Sequence, residues 1–363
     1  MSGPSRGPSG RDVKRVVRRA GGAVLDAVSI AMRPSAAGAL VSAIDRIDRW
    51  PSDRLAVLTY HRVDEPDRRR DLDPSLVSAT PNEFGRQVQL ISERFRPIGA
   101  DELLAVRAGR GRLPPRAVLV TFDDGYADFA ANAWPILRQY GVPVTLFVTT
   151  DGRDDPTTRF WWDRLAAALN ATDRVHLPAS PIGPISLASA GRRRAAGMRC
   201  KSYLKGLPHD AAMDTLEQLI GELGAVDPTG PSALLSWQEI STLAEQGVAI
   251  APHTRTHPVL TGVAPDRLVR EIDGSRDDLE ARVGNVIPLF AYPAGGHDRR
   301  VVEAAERAGL RAAFTTVRGS NDLRRADWYR LRRINVGRRT RPPLLHAQLL
   351  ATTFRIQDRL AGA

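Results

Sequence analysis

The sequence predicts an α/β protein built on parallel strands. Two observations carry this reading. Short apolar runs, such as AVLV at residues 117–120, alternate with segments whose apolar residues recur at helical spacing. The residues with chemical potential, two adjacent carboxylates and a pair of histidines, fall where strands end, and ligands gather at the carboxyl ends of strands in such folds.

The elements follow in chain order. Residues 1–10 (MSGPSRGPSG) are rich in Gly, Pro and Ser and predict disorder. RDVKRVVRRA (11–20) is a basic run, and the apolar stretch after it is interrupted by Asp26 and Arg33. It falls short of the roughly 18 uncharged apolar residues of a membrane span. It reads first as a surface helix, with a peripheral membrane helix or a cleaved signal as alternatives. That favours a cytoplasmic or membrane-associated location over export.

From residue 51 the texture changes. RLAVLTYHRV (54–63) reads as a buried strand ending at His61. Residues 81–95 place Phe84, Val88, Ile91 and Phe95 on one helical face, and 101–109 form a short helix. A strand over 116–125, a helix over 131–141 stopped by Gly141, and a strand over 142–150 come next. Residues 151–235 hold no strong strand signal and predict a mainly helical insertion. The alternation then resumes: helix 236–247, strand 248–254, helix 265–284, strand 287–293, helix 298–309, and strands 310–316 and 331–336. The chain divides into a basic extension (1–50), a folded unit (51–345) with its insertion (151–235), and a C-terminal helix or tail (346–363).

Hydrophobic residues make up 42% of the chain and charged residues 26%, enough apolar mass for a full core. The single cysteine, Cys200, excludes an internal disulfide and a multi-cysteine zinc site, so a metal here must use His and carboxylates. The formal charge of +11 is concentrated. Residues 1–50 hold nine Lys/Arg against four Asp, and residues 318–341 nine Arg against two Asp. Only Lys14, Lys201 and Lys205 are lysines; such a skew resembles a codon preference. No nucleic-acid motif accompanies the charge, which leaves a membrane surface or anionic polymer as the partner the basic segments suit.

TFDDGY (121–126) ends the second strand on two adjacent carboxylates. Like charges repel there and desolvation adds to the cost, so a positive partner is required. The strand ending near residue 252 is followed by HTRTH, with His253 and His257 four apart, the spacing of one face of a helical turn. A lone Asp pair is ordinarily a turn or cap, and a lone HxxxH is often incidental. Both at strand ends suggest a divalent cation held by two histidines and one carboxylate, with the other carboxylate free to take a proton.

TFDDGY, HTRTHP and FAYPAGG, in that order, resemble the motifs of the polysaccharide deacetylases of the NodB-homology type, carbohydrate esterase family 4. LTYHRV, WWDRL and LRRINVGR resemble the bacterial branch linked to exopolysaccharide or lipid-linked sugars. The resemblance covers about residues 54–340. It implies a distorted, incompletely closed (β/α) barrel and removal of N-acetyl groups from an amino-sugar polysaccharide or lipid-linked glycan. It implies Asp123 as general base and Asp124, His253 and His257 as ligands of one divalent metal, zinc first, with cobalt, nickel or manganese able to fill the same set. Tyr292 and Pro293 would flank the groove, and the N–H of Ala294 would help hold the oxyanion. His61, Tyr126, Trp161, Trp162 and His297 are candidates for the substrate pocket.

Two departures from the family pattern stand out. Ala291 occupies the place of an Arg that orients the base, for which Arg332 or Arg333 could substitute. The late Leu-x-His motif that supplies the acid is absent, leaving His346 and His297 as weak candidates. An amidase or O-acetyl esterase on another acyl substrate, and a catalytically silent sugar-binding homologue, are the alternative functions.

Overall fold

The computed structural model describes residues 50, 53–66, 68–177, 181–224 and 233–351. Nearly all of the basic extension, residues 1–49, and residues 352–363 lie outside the described residues, so the readings of an N-terminal helix and a tail fall there.

Seven strands form the frame: β1 (Arg54–Tyr60), β2 (Ala117–Phe122), β3 (Val144–Val148), β4 (Ala249–Pro252), β5 (Leu289–Ala291), β6 (Ala312–Arg318) and β7 (Leu331–Asn335). All six hydrogen-bonded pairings among them are parallel, in the order β5-β6-β7-β1-β2-β3-β4. Strand order is therefore sequence order wrapped around, with one break between β4 and β5. Phe147 on β3 meets Phe314 on β6 at a centroid distance of 5.6 Å, although β7, β1 and β2 lie between those strands in the sheet. Only a sheet curled on itself permits that contact. The molecule is thus a nearly closed parallel barrel with one unsealed seam.

On the β4 side of the seam stands Pro252, which has no N–H to donate across it. One backbone bond crosses there, from Ile287 N–H to the Ile250 carbonyl at 2.8 Å.

The strands are apolar on both faces because both faces are buried. Leu55, Val57, Leu119, Phe147, Leu289 and Leu331 join the cluster that includes the lumen. Their neighbours Ala56, Leu58, Tyr60, Val118, Val120 and Leu146 turn outward. There they meet helices α1 (Pro81–Arg94), α3 (Trp134–Gln139), α7 (Trp237–Glu245) and α10 (Pro342–Ala351). Tyr60, Phe84, Phe122 and Phe129 pack ring to ring with centroids 4.9–5.6 Å apart, pinning the top of β1 to that of β2. Such pairs contribute about 0.5–1.5 kcal/mol each beyond area burial. Helix α2 (Ala100–Arg107) contributes Leu103 to the lumen-side cluster.

Helix α10 starts at Pro342, so the expected division at 345/346 falls inside it, and Leu345, Leu349 and Leu350 belong to the main core. The predicted helix over 131–141 is α3 preceded by a π-helical turn, Phe129–Ala133. The insertion consists of α4 (Trp161–Ala171), α5 (Ala190–Leu204) and α6 (His209–Leu223), with a short antiparallel pairing of His176–Leu177 with Ile185–Ser186. It has its own core, which includes Leu165, Leu169, Cys200, Leu204, Leu216 and Leu219. Cys200 is buried there, far from a nucleophile's setting. Helices α8 (Pro265–Val283) and α9 (Arg299–Arg307) complete the outer layer on the β5–β6 side.

Candidate active site

Asp123 and Asp124 follow β2 directly. The β1–β2 register pairs Tyr60 with Phe122, and the Asp123 N–H continues the ladder to the Tyr60 carbonyl at 2.9 Å. This sets His61 beside the two aspartates at the carboxyl end of the barrel. His253 continues β4 in the same way, its N–H donating to the Val148 carbonyl at 2.9 Å.

Asp124, His253 and His257 converge there, each offering one ligand atom, all within 4.8 Å of one another. The Asp124 carboxylate oxygen Oδ1 lies 3.4 Å from His253 Nε2 and 3.3 Å from His257 Nε2, and this buried oxygen has no hydrogen-bond partner. His253 Nδ1 lies 2.6 Å from the Ala291 carbonyl. A carbonyl only accepts, so Nδ1 carries the proton and Nε2 faces Asp124 with its lone pair. An orphaned buried oxygen facing the lone-pair nitrogen of His253, with the His257 ring beside it, fits a cation. The Ala291–His253 bond also crosses the β4–β5 seam.

The two histidines do not lie on a helical turn, contrary to the spacing argument. Residues 253–257 are loop. Thr254 and His257 adopt left-handed φ values of 69° and 58°, and the His257 N–H donates to Thr254 Oγ1 at 3.0 Å. That turn brings the imidazole centroids within 4.9 Å. Asp124 (φ 75°) and Ala294 (φ 51°) are left-handed as well, so four of the six such non-glycine residues among those described stand at this site. A left-handed L-residue costs roughly 1–2 kcal/mol, sustained only where surroundings over-determine it.

Those surroundings are visible. Arg153, only 2% exposed, donates to the Asp124 carbonyl at 2.6 Å, to the Gly125 and Thr149 carbonyls at 2.7 Å each, and to Thr149 Oγ1 at 2.6 Å. Gly125 is required under it: at φ 68°, a Cβ would stand 3.1 Å from the guanidinium. Nothing in the sequence marked Arg153, because its targets are backbone atoms.

Asp123 is held by Arg333 of β7, whose two terminal nitrogens donate to its two oxygens at 2.8 Å each, while Nε donates to the Thr315 carbonyl at 3.0 Å. Both partners are 3% exposed. Burial pushes the Asp123 carboxyl up; Arg333, with His253 and His61, outweighs it and holds the group below the usual carboxylate range. Burial dominates at His257, whose pKa is lowered, so it stays neutral as a metal ligand must.

These groups wall a cavity of about 140 Å³, together with His61, Asp73, Trp162, Tyr292, Ala294, Lys201 of α5 and Lys205 just past its end. Of the sequence-predicted pocket residues, His61 and Trp162 line it. Trp162 packs edge-on against His257 with centroids 4.6 Å apart. Tyr126 is 1% exposed and does not reach the cavity: its hydroxyl accepts from Trp162 Nε1 at 2.8 Å and donates to Asp163 Oδ2 at 2.7 Å. Trp161, one position earlier on α4, points instead into a separate groove with Arg255 and Arg267. His297 turns away, with Nδ1 on the Gly295 carbonyl at 2.8 Å and its ring stacked on Tyr292. His346 is buried on the outer side of the barrel against Phe95. Neither late histidine can serve as the acid. Pro293 is buried behind the wall, beginning the turn that carries Ala294.

Lys201 and Lys205 were not anticipated, although two of the three lysines in an arginine-dominated chain stand four apart at the end of α5. Lys201 binds Asp73 Oδ2 and, at 2.9 Å, Ser75 Oγ.

Comparison with known proteins agrees with this geometry. The profile of the family described as polysaccharide deacetylase matches residues 110–180 and 193–313, more than half of the chain. YxkH of Bacillus subtilis, named for the same family, is 21% identical over 284 residues, 78% of this chain and 71% of its own. The poly-beta-1,6-N-acetyl-D-glucosamine N-deacetylase of Staphylococcus epidermidis is 29% identical over 112 residues, 28% of this chain and 38% of that protein. Among solved structures, the Streptococcus pyogenes deacetylase PplD in complex with acetate superposes with a TM-score of 0.56 at 18% identity, covering 82% of this chain and 99% of that one, and so shares the fold. Barrel, motif order and profile agree: the chain belongs to the polysaccharide deacetylase family.

Proposed function

We propose that this deacetylase hydrolyses the N-acetyl group of an amino sugar in a polysaccharide or lipid-linked glycan, with a divalent metal held by Asp124, His253 and His257. The observation that carries the reading is the juxtaposition of a clamped, ionised Asp123 with the orphaned Oδ1 of Asp124 in one cavity. The donor set, two imidazoles and a carboxylate, suits zinc first and also cobalt, nickel or manganese. Bound there, the metal supplies Lewis acidity for the acyl carbonyl and for a water molecule.

The chain's own residues do the rest. Asp123, fixed by both oxygens on Arg333, accepts the proton of the water that attacks the acetyl carbon. The turn carrying Ala294 offers a backbone N–H to the charge developing on the carbonyl oxygen, worth on the order of 3 kcal/mol per such donor. As the C–N bond breaks, the nitrogen takes a proton from His61, which lines the cavity beside both aspartates. Imidazole is the side chain most often used to pass a proton in catalysis. Acetate and the free amine are the products.

Acetate release from N-acetylated oligosaccharides, with metal and with chelator, tests the reading. Asp123→Asn should lose turnover and keep the metal; His253→Ala should lose the metal itself. Undiminished release by both variants would overturn the assignment.

A further inference from the structure

A second and larger groove, of about 400 Å³, opens beside the active-site cavity. It shares Asp73, Ser75, Trp162 and Lys201 with it. A substrate whose acetamido group lies at Asp123 must therefore extend into this groove if it extends past Lys201 at all. One wall comes from α4 and α5 of the insertion, with Leu165, Leu169, Arg194 and Met198; the other is the loop bearing Arg338 and Arg339.

The charge on these walls is lopsided. The lining holds Arg193, Arg194, Lys201, Arg338 and Arg339 against one carboxylate, Asp73. Asp73 is already bound by Lys201, and Arg193 donates to the Leu169 and Thr172 carbonyls. Arg194, Arg338 and Arg339 are exposed, and their guanidiniums make no ion pair or hydrogen bond with any described residue. Three unpaired guanidiniums from segments 144 positions apart in sequence (338 − 194) face one groove. Such a convergence is repulsive by itself and is relieved by an anion. Guanidinium forks match a phosphate's oxygens in pairs.

We propose that this groove seats a phosphate group carried by the amino-sugar substrate, adjacent to the sugar that is deacetylated. The proposal rests on the deacetylase reading for the direction of the substrate. The phosphate could belong to a lipid carrier or to a phosphodiester in a polymer, and the two are separable by experiment.

Isothermal titration of metal-loaded protein with N-acetylglucosamine and with N-acetylglucosamine 1-phosphate reads the preference without requiring turnover. The phosphate form should bind roughly tenfold or more tightly, the order expected of charge-assisted contacts in a partly desolvated groove. That advantage should vanish in R194A/R338A/R339A and shrink at about 0.5 M salt, while the neutral sugar binds both proteins alike. Equal binding of the two sugars by the wild type, or a phosphate advantage that survives in the triple variant, overturns the proposal. Acetate release followed in parallel separates the two readings. A phosphate preference lost in the triple variant, with no release from either sugar, sinks the deacetylase reading alone; release from both without preference sinks the groove assignment alone. A methyl and a farnesyl phosphodiester of the same sugar then identify the source. A further gain for the farnesyl ester that falls in M198D names a lipid carrier, and equal binding names a polymer; each upholds the phosphate site.

Discussion

Replacing Arg333 by Met removes the clamp on Asp123 while keeping the stem that fills the top of the lumen. In the wild type both side chains are 3% exposed and joined by two bonds of 2.8 Å, with a third from Nε to the Thr315 carbonyl. The variant strands a carboxylate out of water. Breaking one half of a buried pair costs about 3–5 kcal/mol, whereas removing both halves is often nearly neutral. Thermal or urea denaturation at pH 7 should therefore show a loss of that order for Arg333→Met and recovery of most of it in Asp123→Asn/Arg333→Met. The pH dependence carries a second signature. Asp123 is held below the usual carboxylate range, so its contribution to stability is present above pH ~4 and lost as pH falls through its folded value. Without Arg333 burial prevails, the carboxyl rises, and the acid limb of kcat/KM for acetate release must move to higher pH. Turnover at neutral pH should fall about 10²- to 10⁴-fold, the usual worth of a positioned base. A single variant as stable as wild type with an unmoved acid limb, or a double variant as unstable as the single one, would refute the reasoning.

Three further outcomes are expected. His61→Ala should lower kcat for acetate release by about 10²- to 10⁴-fold with metal content and KM nearly unchanged; a wild-type kcat would exclude His61 as the acid. Arg153→Ala leaves the buried carbonyls of Asp124 and Thr149 without a donor, at about 1–3 kcal/mol each, while Gly125 keeps its bond from Leu235 N–H. A clear drop in Tm should result, and an unchanged Tm would show that Arg153 does not brace the loop. Burial pushes the Asp163 carboxyl up to about 7, against the hydrogen bonds it accepts from Asp73 N–H and Tyr126 Oη. Its favourable contribution is thus full below pH ~4 and lost as pH rises through about 7. Asp163→Asn should flatten the fall in Tm between pH 5 and pH 8, and an identical slope in both proteins would refute that origin.

Much of this protein was legible in its sequence, for a local reason. Apolar runs on both faces of short strands, separated by helical periodicity, specify a parallel α/β sheet without reference to distant residues. Two adjacent aspartates at a buried strand end demand compensation wherever the strand lies. The bond from His253 Nδ1 to Ala291 was beyond reach, since it uses a carbonyl that every residue possesses. Arg153 was invisible for the same reason. The sites of Tyr126, Trp161 and His297 were misjudged because nearness in sequence to a motif does not say which way a side chain turns. On α4, one step of about 100° separates Trp162, against His257, from Trp161, in another groove.

Arg333 marks the boundary between the two kinds of knowledge. Period two places Leu331 and Arg333 on one face of β7 and Arg332 and Ile334 on the other. It does not say which face is the lumen, and both faces are apolar enough to be either. Closure of the barrel decides it: β7 lies two strands from β2, with only β1 between, so Arg333 spans the top of the lumen to Asp123. The sequence by itself determined the strands, the helices and the residue types able to hold a cation or move a proton. Tertiary structure alone decided which of them meet, because curvature brings together groups as far apart as residues 123 and 333, and no local pattern encodes the angle through which a sheet closes.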